Sequence, residues 1–351
     1  MRTAIQLAAE AGPWTELVTY VTEAEHLGVN CCWVAEAWGG DAATPIAALS
    51  QHTDQMIFGS GILQVGARSA ANTAMVGLTL QRITGDRFIL GLGASGPQVV
   101  EGLHGVSFTR PLTRMRETIE VIRMAEAGER LAYEGQTMVL PLPDGEGKAL
   151  RLSLRSNGNP LKIYLASLSP RMLELTGEVA DGWLGTSFIP EGAQSSLDAL
   201  TAGAGRAGRS LTDLELCQGA EVAFADDPED LAGMVASRKP GLAFSLGGMG
   251  SATTNYYNDA YARQGYAEVA AESQALWLDG HRNEAAAVIP DEMVLATTLI
   301  GTKEMVADRL RAWEHVGIDQ VRLYPAGSTL EERLTTLGQA LDLVRDLGAA
   351  T

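Results

Sequence analysis

Four stretches of this chain hold residue types that can do chemistry. The first is Phe88-Ile89-Leu90-Gly91-Leu92-Gly93-Ala94-Ser95-Gly96-Pro97, an apolar run that ends in glycines spaced as G-x-G-x-x-G. As a dinucleotide fingerprint it is out of place. It falls in the fourth strand–helix unit, and Pro97 sets a different entry into whatever follows. Glycines here either let a ring system lie against the backbone or make a tight turn. The second stretch, Gly59 to Ser69, is a strand with glycine at both ends, a polar Gln64 near its terminus and Arg68 just beyond. Glycine in a strand marks a bulge that re-aims backbone groups. Arg68 reads equally as a partner for a ligand anion or for an internal carboxylate.

Glu36 is the third feature, closing the apolar run Cys31-Cys32-Trp33-Val34-Ala35. A carboxylate at the end of a buried strand reads as a proton-transfer group at a barrel mouth, or as a helix-capping residue. Glu10 makes a weaker case of the same kind, with a helix cap near Pro13 as the alternative. The fourth feature is Ala166-Ser167-Leu168-Ser169-Pro170-Arg171. Ser169 has the character of an N-cap, with Pro170 at the first helical position. Free amides there suit a phosphate, with Ser167 and Arg171 beside them, although an N-cap needs no ligand. No phosphate-binding P-loop, zinc-protease H-E-x-x-H or nucleophile elbow is present. The histidines are scattered singly, and only His104 follows a strand exit, where it either touches the site or anchors a loop.

The elements that must position these residues alternate. Strands are expected at 4–8, 31–35, 56–65, 87–92, 161–166, 182–184, 214–223 and 320–324, with helical periodicity between them. Short, almost continuously apolar strands separated by amphipathic helices describe a parallel sheet covered by helices. Eight of them give the fold class α/β, a (β/α)₈ TIM barrel, with a doubly wound sheet as competitor. Two segments interrupt the rhythm, about 129–160 after the fourth strand and 226–285 after the seventh. They read as insertions in one domain spanning 1–351. Within the first, Lys148–Leu154 is expected to form an edge strand. In the second, Phe244, Tyr256, Tyr257, Tyr261, Tyr266 and Trp277 read either as an aromatic lid or as a satellite core.

Composition narrows the function classes. The formal charge of −17, from 43 acidic and 26 basic residues, argues against nucleic acid and anionic membrane as partners. Three cysteines without metal or disulfide spacing read as core residues. With no signal-peptide pattern and no membrane-length apolar run, the chain reads as cytoplasmic.

The same segments resemble the luciferase-like monooxygenase superfamily, in particular its F420-dependent oxidoreductase branch. The resemblance is carried by Gly61 to Asn72, by Leu80 to Phe88, by Gly91 to Gly105 and by Phe108-Thr109-Arg110-Pro111. Later pieces are Ile163 to Ser167, Ala180 to Gly185, and Val288-Ile289-Pro290 through Leu299 to Thr302. It implies a barrel with a flavin-like ring at its C-terminal mouth and a bulge, often with a non-prolyl cis peptide, matched to Gln64, Val65 and Gly66. It implies a ring neighbourhood at Gly93 and Ser95, and a cofactor phosphate near Ala166, Ser167 and Ser169. Glu36 matches a position where relatives place an acidic or histidine site residue, and Glu10 and His104 are further catalytic candidates. The reaction implied is hydride transfer between F420 and an organic small molecule. A monooxygenase using reduced FMN and oxygen is the alternative, a non-catalytic cofactor-binding barrel the third. Relatives are commonly dimers, so a homodimer sharing a face made by 71–83 and 112–127 is expected.

Overall fold

The computed structural model describes residues 1–351 except Asn157, Ala252 and Thr351. Eight strands, β1 (Arg2–Ala8), β2 (Cys31–Ala35), β3 (Ile57–Ser60), β4 (Phe88–Gly93), β5 (Lys162–Ala166), β6 (Gly182–Leu184), β7 (Glu215–Phe224) and β8 (Gln320–Pro325), pair in parallel. The ring closes where β8 pairs with β1, Arg2 lying opposite Gln320. This is a closed (β/α)₈ barrel. The helices between the strands are α1 (Trp14–His26), α2 (Ala43–Leu49), α3 (Ala70–Ile83), α4 (Pro111–Glu126), α5 (Pro170–Val179), α6 (Gln194–Arg206), α7 (Lys303–His315) and α8 (Leu330–Ala350). No helix among the described residues is long and apolar enough to cross a membrane.

Side chains alternate across each strand, so one set fills the barrel and the other packs under the helices. Inward-facing Trp33 and Tyr164 fill the interior, their ring centroids 5.6 Å apart. Glycines opposite them make the room. A Cβ at Gly59 would strike the Trp33 ring, and one at Gly182 the Tyr164 ring. The outward set, including Ile5, Leu7, Val34, Phe58, Leu90 and Leu165, joins the helices in the main core. Gly203, which lowers helix propensity in α6, has a packing reason. A Cβ there would meet the Glu174 carbonyl of α5, and one at Gly177 the Leu200 carbonyl of α6. The two helices cross backbone to backbone.

The N-terminal end of the barrel is plugged by a polar network. Glu215 accepts from the Tyr164 hydroxyl and from Gln320 Nε2 (3.3 Å), and it pairs with Arg2. Gln320 Oε1 accepts from Trp33 Nε1 (2.8 Å) and the Cys217 thiol (3.1 Å). All three cysteines are buried and free.

Two local expectations need correction, and one short strand was not expected. The strand expected over 56–65 is two pieces, Ile57–Ser60 and Leu63–Gln64, with a cis peptide between Gly61 and Ile62. Where the chain leaves the ladder, the Ser60 hydroxyl donates to the Gly91 carbonyl and accepts from the Gly91 amide, both at 2.9 Å. The edge strand expected at 148–154 is absent. A hairpin of Tyr133–Glu134 with Val139–Leu140 stands in that insertion instead. Its turn is held by the buried Glu117, which accepts from the amides of Gln136 (2.5 Å) and Thr137 (2.9 Å). An internal carboxylate outweighs the weak strand propensity of a stretch flanked by Pro141, Pro143, Gly145 and Gly147. Finally, Leu299–Gly301 is a short strand on the end of β7, its three residues too few for a periodic signal.

Candidate active site

The C-terminal ends of the strands surround a cavity of about 830 Å³. Ala35, Glu36, Gly93, Ala166, Leu184 and Thr186 line it from β2, β4, β5 and β6, and Gln6 closes its floor from β1. Gly61 and Ile62, at the break after β3, form one wall. Opposite Ile62, Gly93 leaves no room for a side chain, since a Cβ there would come within 2.8 Å of Ile62 Cδ1. The Ile62 side chain therefore packs directly on the Gly93 backbone at this wall of the cavity. Ser95 sits at φ 59, a conformation uncommon outside glycine, with its hydroxyl free of hydrogen bonds among the described residues.

At the far side α5 begins. Ser169 is its N-cap without a side-chain bond, and the amides of Arg171 and Met172 have no partner among the described residues. Arg171 lines the cavity and has no ion pair among the described residues. Arg263 approaches the same corner, donating to the Leu168 carbonyl (2.6 Å). The amides and two cations make a site of positive potential.

Of the residues expected from sequence, Glu36, Gly93, Ser95, Ala166, Ser167 and Ser169 line this cavity. Ser167 is 3% exposed, and its hydroxyl is shared with Thr176 at 2.5 Å. Glu36 reaches the wall but is held: Arg68 donates to both carboxylate oxygens (2.5 and 2.8 Å), and the Ala42 amide donates at 3.1 Å. Of the two readings of Arg68, the internal ion pair is the one the structure displays.

Other expectations are corrected. Gln64, Val65 and Gly66 do not face the cavity. They lie buried behind it, with Gln64 Nε2 donating to the Ala37 carbonyl (2.6 Å) and Gly66 packed against Val100. The irregularity assigned to them falls instead at Gly61–Ile62, where the chain passes Trp33. His104 is exposed outside the cavity, and its neighbour Leu103 takes the wall position. Glu10 is exposed and caps no helix; it accepts the Gly40 amide at 3.0 Å, 30 residues away. The aromatic segment divides between both of its readings. Phe244, Tyr256 and Tyr257 cover the cavity, while Tyr261 joins a separate core with Trp277 and Tyr266 packed against it.

Sequence reasoning missed Gln6, Ile62 and Arg322. The signal for two of them was present: a glutamine within Ala4-Ile5-Gln6-Leu7 and an arginine within Val321-Arg322-Leu323 are polar residues in strands otherwise buried. A second cavity, of about 760 Å³, opens at the N-terminal end of the barrel around Arg2, Tyr164 and Glu215. Its central groups already bind one another, and ligands of such barrels sit at the opposite end.

Comparison with known proteins agrees with this fold. The family model for luciferase-like monooxygenases matches residues 1–320. A Mycobacterium tuberculosis protein named "Putative coenzyme F420-dependent oxidoreductase" is 36% identical over 345 residues, covering 95% of this chain and 98% of the relative. Among solved structures, the coenzyme F420-dependent tetrahydromethanopterin reductase from Methanopyrus kandleri superposes with a TM-score of 0.78 at 22% identity, covering 97% of both chains. The oxygenating constituent of 3,6-diketocamphane monooxygenase from Pseudomonas putida, in complex with FMN, gives 0.69 at 17% identity, covering 98% of this chain and 96% of the other. At such identities these two report the shared fold alone.

Proposed function

Because this chain belongs to the luciferase-like monooxygenase family of enzymes, we propose that it transfers a hydride between coenzyme F420 and an organic small molecule. One observation of the structure carries the reading: a cavity wall formed by Gly61 and by Ile62 packed on Gly93 leads to the open N-terminus of α5. Gly93 lets the Ile62 side chain lie against the strand backbone, since a Cβ there would meet Ile62 Cδ1 and Cγ1, and the wall they form together suits a flat ring. The free amides of Arg171 and Met172, with the Arg171 side chain, suit an anionic tail. When bound, F420 supplies the hydride chemistry.

The residues of the chain then divide the remaining work. Ile62, packed against Gly93, supports one face of the ring. Ser95 presents a free hydroxyl at the edge. Ser167 and Ser169 set the entry into α5, where Arg171 offsets negative charge. Phe244, Tyr256 and Tyr257 cover the opening and exclude water from the site. Glu36 keeps Arg68 and the 36–42 loop in place, and its engaged oxygens support a role in shaping the rim instead of moving protons. We take the two insertions as parts of one cytoplasmic catalytic unit that works as a homodimer, with the dimer checked by light scattering.

The relative at 36% identity supports F420 over FMN, which is represented here by a more distant fold neighbour. Parallel titrations of the purified protein with F420 and FMN test the choice. Tight, selective F420 binding that weakens at least tenfold in Arg171→Glu is expected. Selective FMN binding would move the enzyme to the oxygen-using branch, and binding of neither would end the cofactor reading.

A further inference from the structure

The floor of the mouth holds a cation that no carboxylate among the described residues neutralises. Arg322 points inward from β8 and is 4% exposed. Its Nη1 donates to Gln6 Oε1 (3.0 Å) and its Nη2 to the Gly185 carbonyl (2.6 Å). Both acceptors are neutral, and Nε has no partner among the described residues. Space for the guanidinium comes from Gly219 on β7, where a Cβ would meet both Arg322 Nε and the Tyr324 hydroxyl. The carboxylates of this region are engaged elsewhere, Glu221 with Arg238 (2.6 Å) and Glu36 with Arg68. A buried charge facing only neutral dipoles is costly, which makes it a mark of function more than of stability.

Gln6 gives that charge a direction. Its Oε1 accepts from Arg322 and from the Tyr324 hydroxyl (3.3 Å). A guanidinium can only donate, so the oxygen must face it, and the amide NH₂ is turned the other way. Gln6 lines the cavity, and its Nε2 neither finds a partner among the described residues nor belongs to the orphaned atoms sealed in the protein. We propose that Gln6 Nε2 is a specificity-determining donor for a negatively polarised substrate oxygen, a ketone carbonyl or a carboxylate. Arg322 and Tyr324 are its positioning residues. The rest of such a ligand is apolar, since Trp38, Leu103 and Phe244 lie on the cavity wall while 62%, 58% and 39% exposed. The inference rests on the proposed function only in taking this mouth as the substrate site, and it holds for either cofactor.

The probes are carbonyl-¹³C cyclohexanone and cyclohexanecarboxylate, which share an apolar ring and differ in the oxygen offered. Their binding is measured in the wild type, in Gln6→Met, which removes the donor, and in Gln6→Glu, which keeps the shape and pairs with Arg322. Melting curves establish that each variant is folded. Losing a hydrogen bond backed by a charge should weaken carboxylate binding roughly tenfold in Gln6→Met and more in Gln6→Glu. The infrared carbonyl stretch of bound cyclohexanone should lie at higher wavenumber in Gln6→Met than in the wild type. A response confined to the ketone or to the carboxylate supports the subsite and names the substrate class. Unchanged affinities and an unchanged carbonyl stretch in both variants would overturn it. F420 titrated into the same proteins keeps the two readings apart. Lost F420 affinity with unaltered probe binding places Gln6 under the cofactor and refutes the inference. Failure of the wild type to bind F420, with the probe responses intact, refutes the cofactor reading alone.

Discussion

The two ends of the barrel treat polar groups in opposite ways. At the N-terminal end, Glu215, Gln320, Tyr164, Trp33, Cys217 and Arg2 bind one another in a continuous network. At the C-terminal end, the Ser95 hydroxyl, the Arg171 guanidinium, the first amides of α5 and Gln6 Nε2 lie at a cavity without partners among the described residues. The glycines differ in the same sense. Those at the closed end and in the middle admit rings of the protein itself, whereas Gly93, on the cavity wall, admits only the flexible end of Ile62. A satisfied network stabilises the fold, while free donors are available to a ligand. The same eight strands thus serve as a foundation at one end and a binding surface at the other.

Paired substitutions two residues apart on β4 test that division most sharply. In Gly91→Ala the new Cβ would sit on the Ser60 carbonyl oxygen, a backbone atom that cannot move cheaply. A loss of about 1–3 kcal/mol in urea unfolding is expected. In Gly93→Ala the obstacle is the end of the flexible Ile62 side chain, so stability should change less while F420 affinity falls about tenfold. Equal stability losses with intact cofactor binding at both positions would erase the distinction between wall and mouth.

Glu36→Gln comes next. It breaks a bidentate pair whose carboxylate side chain is 8% exposed and whose arginine side chain is 18% exposed. A stability loss of about 1–2 kcal/mol is expected, between exposed and fully buried pairs. Single-turnover hydride transfer in the surviving protein should stay within a few-fold of wild type. An unaltered melting temperature with transfer abolished would return Glu36 to the reaction.

The smallest effect is silent at neutral pH. Burial, reinforced by the Glu215 carboxylate, pushes the Tyr164 phenol well above the ordinary tyrosine range. A group whose pKa is raised by folding stabilises fully below its unfolded value and loses that contribution as pH climbs past it. Wild type should therefore lose stability above about pH 10, and Tyr164→Phe should lose less over the same range. Identical alkaline profiles would show that the plug does not depend on that proton.

The eight barrel strands were legible because burial on both faces leaves short apolar runs, and such runs recur between amphipathic helices at this spacing. The stretch 148–154 misled because its alternation is weak and the competing hairpin is fixed by Glu117, which is remote in sequence. For the site, local patterns located strand ends correctly at Glu36, Gly93, Ser95 and Ser167. Roles were harder to read. Glu36 and Arg68 are separated by 32 residues, and nothing in either neighbourhood announces the pair. Gln6 and Arg322 meet only because β1 and β8 close the ring, a contact across 316 residues that depends on the closure itself.

The charge arrangement at the mouth also has a kinetic consequence. Arg171, Arg263 and Arg322 gather beside a cavity whose carboxylate Glu36 is already paired, on a chain of net charge −17. An anionic ligand approaching from bulk solvent meets repulsion first and attraction only at contact distance. Added salt screens interactions beyond a Debye length of about 8 Å at physiological ionic strength, while short, partly desolvated contacts persist. Association of the cofactor should therefore quicken as salt rises from low to moderate levels, with dissociation changing less, the reverse of an electrostatically steered encounter. A stopped-flow association rate that falls over that range would mean that the local field of the mouth reaches further into solvent than the acidic surface does.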